Sequence, residues 1–122
     1  MYRERTRMKI NLHQEIHSVD IPKLQRLYPL QSNFAELSSC IDAIIKKISQ
    51  NPYLEGVPCK RPPLLNWRRL KFHSKHRPLQ GTKADMRIIF REYNGVVFIF
   101  CIGKRIQKDP DDVYFTAHNR NP

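Results

Sequence analysis

The chain has 122 residues and a formal net charge of +11, which allows one domain with a single hydrophobic core and excludes a second independent one. Its longest apolar run is far shorter than the roughly 20 residues of a membrane-spanning helix, and its 3 cysteines lack the close spacing of a zinc site. We therefore expect a cytoplasmic protein with reduced thiols, no membrane association, no cofactor and no metal.

The first half of the chain predicts one strand and two helices. A flexible basic lead covers residues 1–7, and residues 8–122 form a single domain that begins with a strand of alternating apolar residues. Asp20 and Pro29 are residue types that begin and end a short helix. A longer amphipathic helix is indicated by apolar residues at steps of three and four, namely Phe34, Leu37, Ile41, Ile44, Ile45 and Ile48.

Two further strands are predicted on either side of a long loop. Residues 68–73 alternate between apolar and basic side chains, so we expect one face of this strand in the core and the other face to be basic. A loop over residues 73–85 contains proline and glycine among basic residues, and it leads to a strand over residues 86–93.

The last predicted strand is buried and ends in two cations. Asn94 and Gly95 are typical of a tight hairpin turn, and the apolar run over residues 96–103 predicts a strand inside the sheet, directly before Lys104 and Arg105. The element order β-α-α-β-β-β predicts an α+β fold. In this fold, a small antiparallel four-stranded sheet packs both helices on one face and leaves the other face to basic residues.

The positive charge is concentrated in one part of the chain. Residues 60–108 contain 13 Lys and Arg but only two acidic residues. Because these cations are interleaved with apolar strand residues, they are expected to form a basic face on folded structure, which favours a polyanion such as nucleic acid as the partner.

Three short motifs in the second half of the chain are similar to motifs of one known protein family. Residues 84–90 read Ala-Asp-Met-Arg-Ile-Ile-Phe and are similar to the family strand with a central arginine. Residues 102–105 read Ile-Gly-Lys-Arg, similar to the strand-ending family motif, and residues 112–114 read Asp-Val-Tyr, similar to the terminal motif. The chain thus resembles the RelE/ParE superfamily, the toxins of bacterial type II toxin-antitoxin systems, and by the order of its elements the similarity covers residues 8–120.

RelE-type members of this family are ribosome-dependent messenger RNA endoribonucleases, so the resemblance implies that the chain cuts messenger RNA and inhibits translation. Its partners would be the ribosome, messenger RNA and a cognate antitoxin protein. The implied reaction is attack of a ribose 2′-hydroxyl on the adjacent phosphate, which needs no metal because the nucleophile belongs to the substrate. The implied catalytic residues are Arg87, Arg105, Tyr114 and Lys71. The implied RNA-binding residues are Arg68, Arg69, His73, Arg91, Lys104 and Arg120.

The residue types suit these implied roles. Arginine stays charged and makes bidentate contacts with phosphate oxygens, as required of Arg87 and Arg105. A tyrosine hydroxyl can orient a group or donate a proton, as required of Tyr114. Arg69 and Lys71 would form the cationic pair of their strand, with Lys71 as a base among neighbouring cations.

Two spacings differ from the family pattern and leave alternatives open. The loop over residues 73–85 replaces a short turn, and the connection from Arg105 to Tyr114 is a few residues longer than in RelE. We therefore also consider His73 or His76 as the proton-transfer group. Two other functions remain open: a ParE-like inhibitor of DNA gyrase, and a catalytically silent homologue that binds only RNA or its antitoxin.

Overall fold

The computed structural model describes residues 7–122, so most of the predicted basic lead lies outside the described residues. A single sheet is formed by the strands β1 (Lys9–Leu12), β2 (Val57–Pro58), β3 (Arg68–Phe72), β4 (Met86–Tyr93) and β5 (Val96–Lys104). Their order across the five-stranded sheet is β1-β5-β4-β3-β2. The β1 strand runs parallel to β5, and the other neighbouring strands are antiparallel.

Helical segments lie between β1 and β2 and after β5. The π-helical turn Ile16–Asp20 runs directly into the helix α1 (Ile21–Leu27), and the long helix α2 (Gln31–Gln50) follows. A short helix, α3 (Val113–His118), lies near the end of the chain. Within residues 7–122, no helix is long and apolar enough to cross a membrane.

The apolar stripe of α2 packs against one face of the sheet, which confirms its prediction as a core helix. Leu37, Ile41 and Ile48 are buried because their three- and four-residue steps align them on one side of the helix. They share the main core with inward-pointing strand residues, namely Phe72, Met86, Ile88, Phe90, Val97, Ile99 and Ile102.

The sheet has more strands than predicted, and it is not wholly antiparallel. The prediction of α+β structure is confirmed, but β1 pairs in parallel with β5, with Lys9 opposite Val96. No local turn connects these two strands, so the alternation within β1 carries no information about its direction. The additional strand β2 has only two residues and includes Pro58, which leaves no recognisable strand pattern.

The opposite face of the sheet, called the second face below, holds a smaller core, so the prediction of a face left to basic residues was wrong. A register shift in the pairing of β4 and β5 lies between Ile89 and Phe90, and both Phe100 and Cys101 pack in this second core. Neighbouring segments cover them with Cys59, Leu64, Trp67, Val113, Tyr114 and Ala117.

Asp20 does not cap α1, contrary to the prediction. Its side chain makes no capping hydrogen bond and is only 2% exposed. Its Oδ1 lies 2.6 Å from Nη2 of Arg120 in a buried ion pair, and its Oδ2 accepts the Ile102 backbone N–H at 2.9 Å. The carboxylate therefore joins the first helical segment to β5 and to the end of the chain.

Asp85 anchors the long loop between β3 and β4. Its carboxylate accepts hydrogen bonds from the Tyr28 hydroxyl at 2.7 Å and from the Ser74 hydroxyl at 2.6 Å. Partial burial raises the pKa of Asp85, but these bonds and the Ser74 backbone N–H together outweigh burial and hold the pKa below its ordinary value. The ionised group therefore stabilises the fold above about pH 4, and this contribution is lost as the pH falls through the lowered pKa.

Asp85→Asn is expected to reduce the free energy of unfolding at pH 7 by about 1–2 kcal/mol, because hydrogen bonds to a charged acceptor are stronger than those to an amide. Urea unfolding of the wild type and the variant at pH 7 and at pH 3 measures this difference, which should shrink at pH 3. The exposed Asp42→Asn provides a matched control. An equal difference at both pH values would contradict the role of the ionised carboxylate.

Candidate functional site

Tyr114 contacts two arginines in a basic pocket on the second face. Arg69 donates a hydrogen bond from Nη1 to the Tyr114 hydroxyl at 3.3 Å. The Arg105 guanidinium lies over the Tyr114 ring, 5.0 Å from its centroid. The pocket has a volume of about 430 Å³ and is lined by Cys59, Lys60, Arg61, Leu64, Arg69, Arg105, Tyr114 and His118.

One buried carboxylate, that of Asp112, positions both Arg105 and Tyr114. Asp112 is 4% exposed, and its Oδ2 lies 2.7 Å from Nη1 of Arg105. The same side chain accepts the backbone N–H of Ile106 at 2.6 Å and that of Tyr114 at 3.1 Å. The bond to Tyr114 caps the N-terminus of α3. The Arg105 backbone N–H donates to the Asp85 carbonyl at 2.8 Å, so Arg105 is held by its backbone and by its side chain.

Gly103 allows α3 to lie close against β5. A Cβ atom at Gly103 would be 2.9 Å from the Cβ of Val113, which is closer than non-bonded carbons pack. Because glycine leaves this space to Val113, the next residue, Tyr114, reaches the pocket. The long connection between Arg105 and Tyr114 therefore does not separate these two side chains.

The chemistry of the pocket suits the binding of a phosphate group. It does not suit catalysis by a cysteine nucleophile. Burial raises the pKa of the Cys59 thiol more than the nearby Arg69 lowers it. The thiol therefore stays protonated at neutral pH and is a poor nucleophile. The guanidinium groups of Arg69 and Arg105 instead offer planar arrays of donors that match phosphate oxygens.

Arg87 and Lys71 lie beside the pocket rather than in its lining. They are opposite each other in the pairing of β3 and β4, on the same face as Arg69, because alternate strand residues point the same way. Lys71 is exposed, whereas Arg87 is 9% exposed and donates from Nη1 to the carbonyls of Ala84 and Met86. The buried Nε atoms of Arg69 and Arg87 have no hydrogen-bond partner among residues 7–122.

Arg68 and Arg120 use their donors inside the protein. Arg68 donates from Nε and Nη2 to the carbonyls of Glu55 and Gly56 at 3.0 and 2.9 Å. Arg120 is buried against Asp20, as described above, and also donates to the Phe100 carbonyl at 2.9 Å. These contacts engage donors of both guanidinium groups within the fold, and neither arginine lines the pocket.

Lys104 and the two candidate proton-transfer histidines also have contacts away from the pocket. The Lys104 ammonium lies 5.1 Å from the centroid of the Tyr28 ring. His73 lines a separate cavity against α2, and the His76 ring lies 3.1 Å from the Ser39 hydroxyl of that helix. The structure therefore does not bring His73 or His76 to Tyr114.

Arg91, the remaining candidate, lies on the second face but outside the pocket lining. It is two residues beyond Ile89 along β4, and Ile89 pairs with Arg69. The Arg91 guanidinium lies 5.2 Å from the centroid of the Trp67 ring, on the same side of the sheet as the pocket.

The sequence-based prediction missed five of the eight residues that line the pocket, among them His118, Lys60 and Arg61. His118 is four residues after Tyr114 in α3, and this spacing places two side chains on one side of a helix. That signal becomes usable only once residues 113–118 are recognised as helical. Lys60 and Arg61 lie in an irregular connection between β2 and β3, where no periodicity indicates which way a side chain points.

No family model, curated protein or solved structure matches this chain. Among residues 7–122, no group of three or more His, Cys, Asp and Glu side chains is placed to hold a metal ion. The candidate site is therefore defined by its own geometry, two arginines in contact with one tyrosine at the edge of a basic pocket.

Proposed function

We propose that this protein is a RelE-like toxin that cuts messenger RNA on the ribosome and so inhibits translation. The observation that supports the proposal is the contact of Tyr114 with both Arg69 and Arg105 in one pocket. A phosphodiester is an anion, and its charge shifts to new oxygens during cleavage. Guanidinium donors held in place before the substrate arrives are suited to stabilise that charge.

The proposed reaction uses the 2′-oxygen of the substrate as the nucleophile. A bond forms between this oxygen and phosphorus while the bond from phosphorus to the 5′-oxygen breaks, which leaves a 2′,3′-cyclic phosphate and a 5′-hydroxyl. The Tyr114 hydroxyl protonates the departing 5′-oxygen, and Arg69 stabilises the charge left on the tyrosine oxygen. Lys71, exposed on the same face, accepts the proton of the 2′-hydroxyl when its amine is neutral.

The remaining basic side chains bind the RNA around the broken bond. Arg105 contacts the phosphate, and Arg87 adds a positive charge and a buried Nε donor that has no partner among residues 7–122. Lys60 and Arg61, which also line the pocket, extend the positive surface. An acidic segment of the proposed antitoxin would block cleavage by occupying the same pocket, since its carboxylates would replace the phosphate.

Tyr114→Phe is expected to slow the cleavage of translated messenger RNA by about 10²-fold, the lower end of the usual contribution from general acid catalysis. Primer extension on a messenger RNA with purified ribosomes maps the cuts and measures their rate. Tyr53→Phe is the matched control, because Tyr53 is exposed and its hydroxyl bonds to Glu92, away from the pocket.

Cuts that require ribosomes and are lost in Tyr114→Phe but not in Tyr53→Phe would support the nuclease. Intact messenger RNA with the folded wild-type protein would contradict it. A supercoiling assay with DNA gyrase then separates the two alternatives, since a ParE-like inhibitor blocks that enzyme and a silent RNA- or antitoxin-binding homologue does not.

A further inference from the structure

A column of stacked planar side chains lies on the second face beside the candidate pocket. The Trp67 ring stacks on Phe100, with centroids 4.6 Å apart and planes inclined by 25°. The Arg91 guanidinium lies 5.2 Å from the Trp67 centroid and 5.3 Å from the Tyr93 centroid. The column therefore runs from Phe100, which is 2% exposed, to Tyr93, which is 55% exposed.

The column continues the surface that contains the pocket. Arg91 and Tyr93 lie on the same side of β4 as Ile89, and Ile89 pairs with the pocket residue Arg69. A strand rises about 3.3 Å per residue, so Tyr93 lies about 13 Å along β4 from Ile89. An RNA strand whose phosphate occupies the pocket can therefore place a neighbouring nucleotide over Tyr93.

We propose that Tyr93 and Arg91 form a stacking site for an unpaired base of the bound RNA strand. Proteins hold single-stranded RNA by stacking its bases on aromatic rings and on the guanidinium plane of arginine. The Arg91 charge also attracts the adjacent phosphates. This inference rests on the proposed function and extends it from the cleaved phosphate to a second nucleotide.

The local structure holds the outer ring in place and keeps negative charge away from it. The turn after Tyr93 has Asn94 and Gly95 in the left-handed region, with φ values of 52° and 79°, which closes a tight hairpin. The Glu92 carboxylate is engaged elsewhere, by the Tyr53 hydroxyl at 2.7 Å and by the Gly95 backbone N–H at 2.9 Å. The exposed face of the Tyr93 ring is therefore available to a base, and the neighbouring Glu92 side chain lies on the opposite face of β4.

Binding of an uncleavable RNA tests the stacking site separately from catalysis. A single-stranded 2′-O-methyl oligonucleotide has no free 2′-hydroxyl, and the fluorescence of Trp67, the only tryptophan, reports its binding. Tyr93→Ala is expected to weaken binding about tenfold, within the range for loss of one stacked base. Tyr93→Phe keeps the ring and should bind as the wild type does. Arg91→Lys keeps the positive charge but loses the planar guanidinium group on which a base can stack, so it should also weaken binding.

An abasic oligonucleotide of equal length separates base stacking from phosphate attraction. The wild type and Tyr93→Ala should bind it equally, because no base remains to stack. Unchanged affinity of a folded Tyr93→Ala for the base-bearing strand would overturn the inference. An equal loss of affinity for both strands would overturn it too, since the residue would then act on the backbone.

The same proteins in the ribosome cleavage assay distinguish this inference from the proposed function. Binding that depends on Tyr93 and on the bases, without cleavage, would support the stacking site and reject the nuclease. Cleavage by the wild type with no effect of Tyr93→Ala on RNA binding would reject the stacking site alone. Absence of any RNA binding by the wild type would overturn the stacking site, whatever the chain does on the ribosome.

Discussion

Arg105→Ala is expected to reduce the rate of ribosome-dependent messenger RNA cleavage by about 10²–10³-fold, the usual cost of removing one preorganised donor from a site of developing charge. The guanidinium is held by Asp112 at 2.7 Å and lies over the Tyr114 ring, so both its charge and its orientation are set before RNA binds. Single-turnover primer extension with saturating ribosomes measures the rate.

Two variants separate this local effect from a general loss of positive charge. Lys104→Ala removes the neighbouring cation, whose ammonium lies over Tyr28 away from the pocket, so its cleavage rate should stay close to that of the wild type. Arg105→Lys keeps a positive charge to pair with Asp112 but loses the planar guanidinium donors. Its cleavage rate should therefore lie between those of the wild type and Arg105→Ala. Equal losses in Lys104→Ala and Arg105→Ala would show that only net charge matters, which contradicts the assigned role of Arg105.

Asp20→Asn is expected to reduce the free energy of unfolding by about 3–5 kcal/mol, because it leaves the charge of Arg120 buried without its partner. Both side chains of this ion pair are 2% exposed. The asparagine oxygen can still accept the Ile102 N–H, so the variant mainly removes charge. Urea unfolding at pH 7, followed by the fluorescence of Trp67, measures the change.

The matched controls test whether the buried charge is the cause. The double variant Asp20→Asn and Arg120→Met removes both charges. It should recover much of the lost stability, because no buried charge is then left without a partner. Glu15→Gln should cost little, because Glu15 is 40% exposed and lies 3.4 Å from Nε of Arg120. A double variant less stable than Asp20→Asn would contradict the explanation.

Several parts of the fold followed from local pattern alone. The isoleucine steps of α2 predicted a core helix because a helix of 3.6 residues per turn aligns them. The apolar run of β5 and the turn at Asn94 and Gly95 predicted the central hairpin, since neighbouring residues decide both features. Each of these elements is specified by a short stretch of chain, so the sequence was sufficient to predict it.

The predictions that were wrong concern contacts between residues far apart in the chain. Asp20 has the residue type of a helix cap, but its partner is Arg120, 100 positions away. Whether an aspartate caps a helix or pairs with a distant arginine depends on which surfaces meet in the folded protein. The covering of the second face by α3 was also not predicted. Six residues give too short a pattern to predict a packed helix.

For the candidate site, the sequence identified candidate residues by type. It did not show which of them lie next to each other in the folded protein. Arg69, Arg105 and Tyr114 were each identified as candidates from the family resemblance, but His118, Lys60 and Arg61 entered the pocket only through the packing of α3 and the β2–β3 connection. Local periodicity determines which residues form a helix or strand and which side they bury. Only the tertiary structure decided which cations share a pocket with Tyr114. It also decided which cations, like Arg68 and Arg120, are neutralised or hydrogen-bonded within the fold. Both outcomes depend on contacts that join segments distant in sequence.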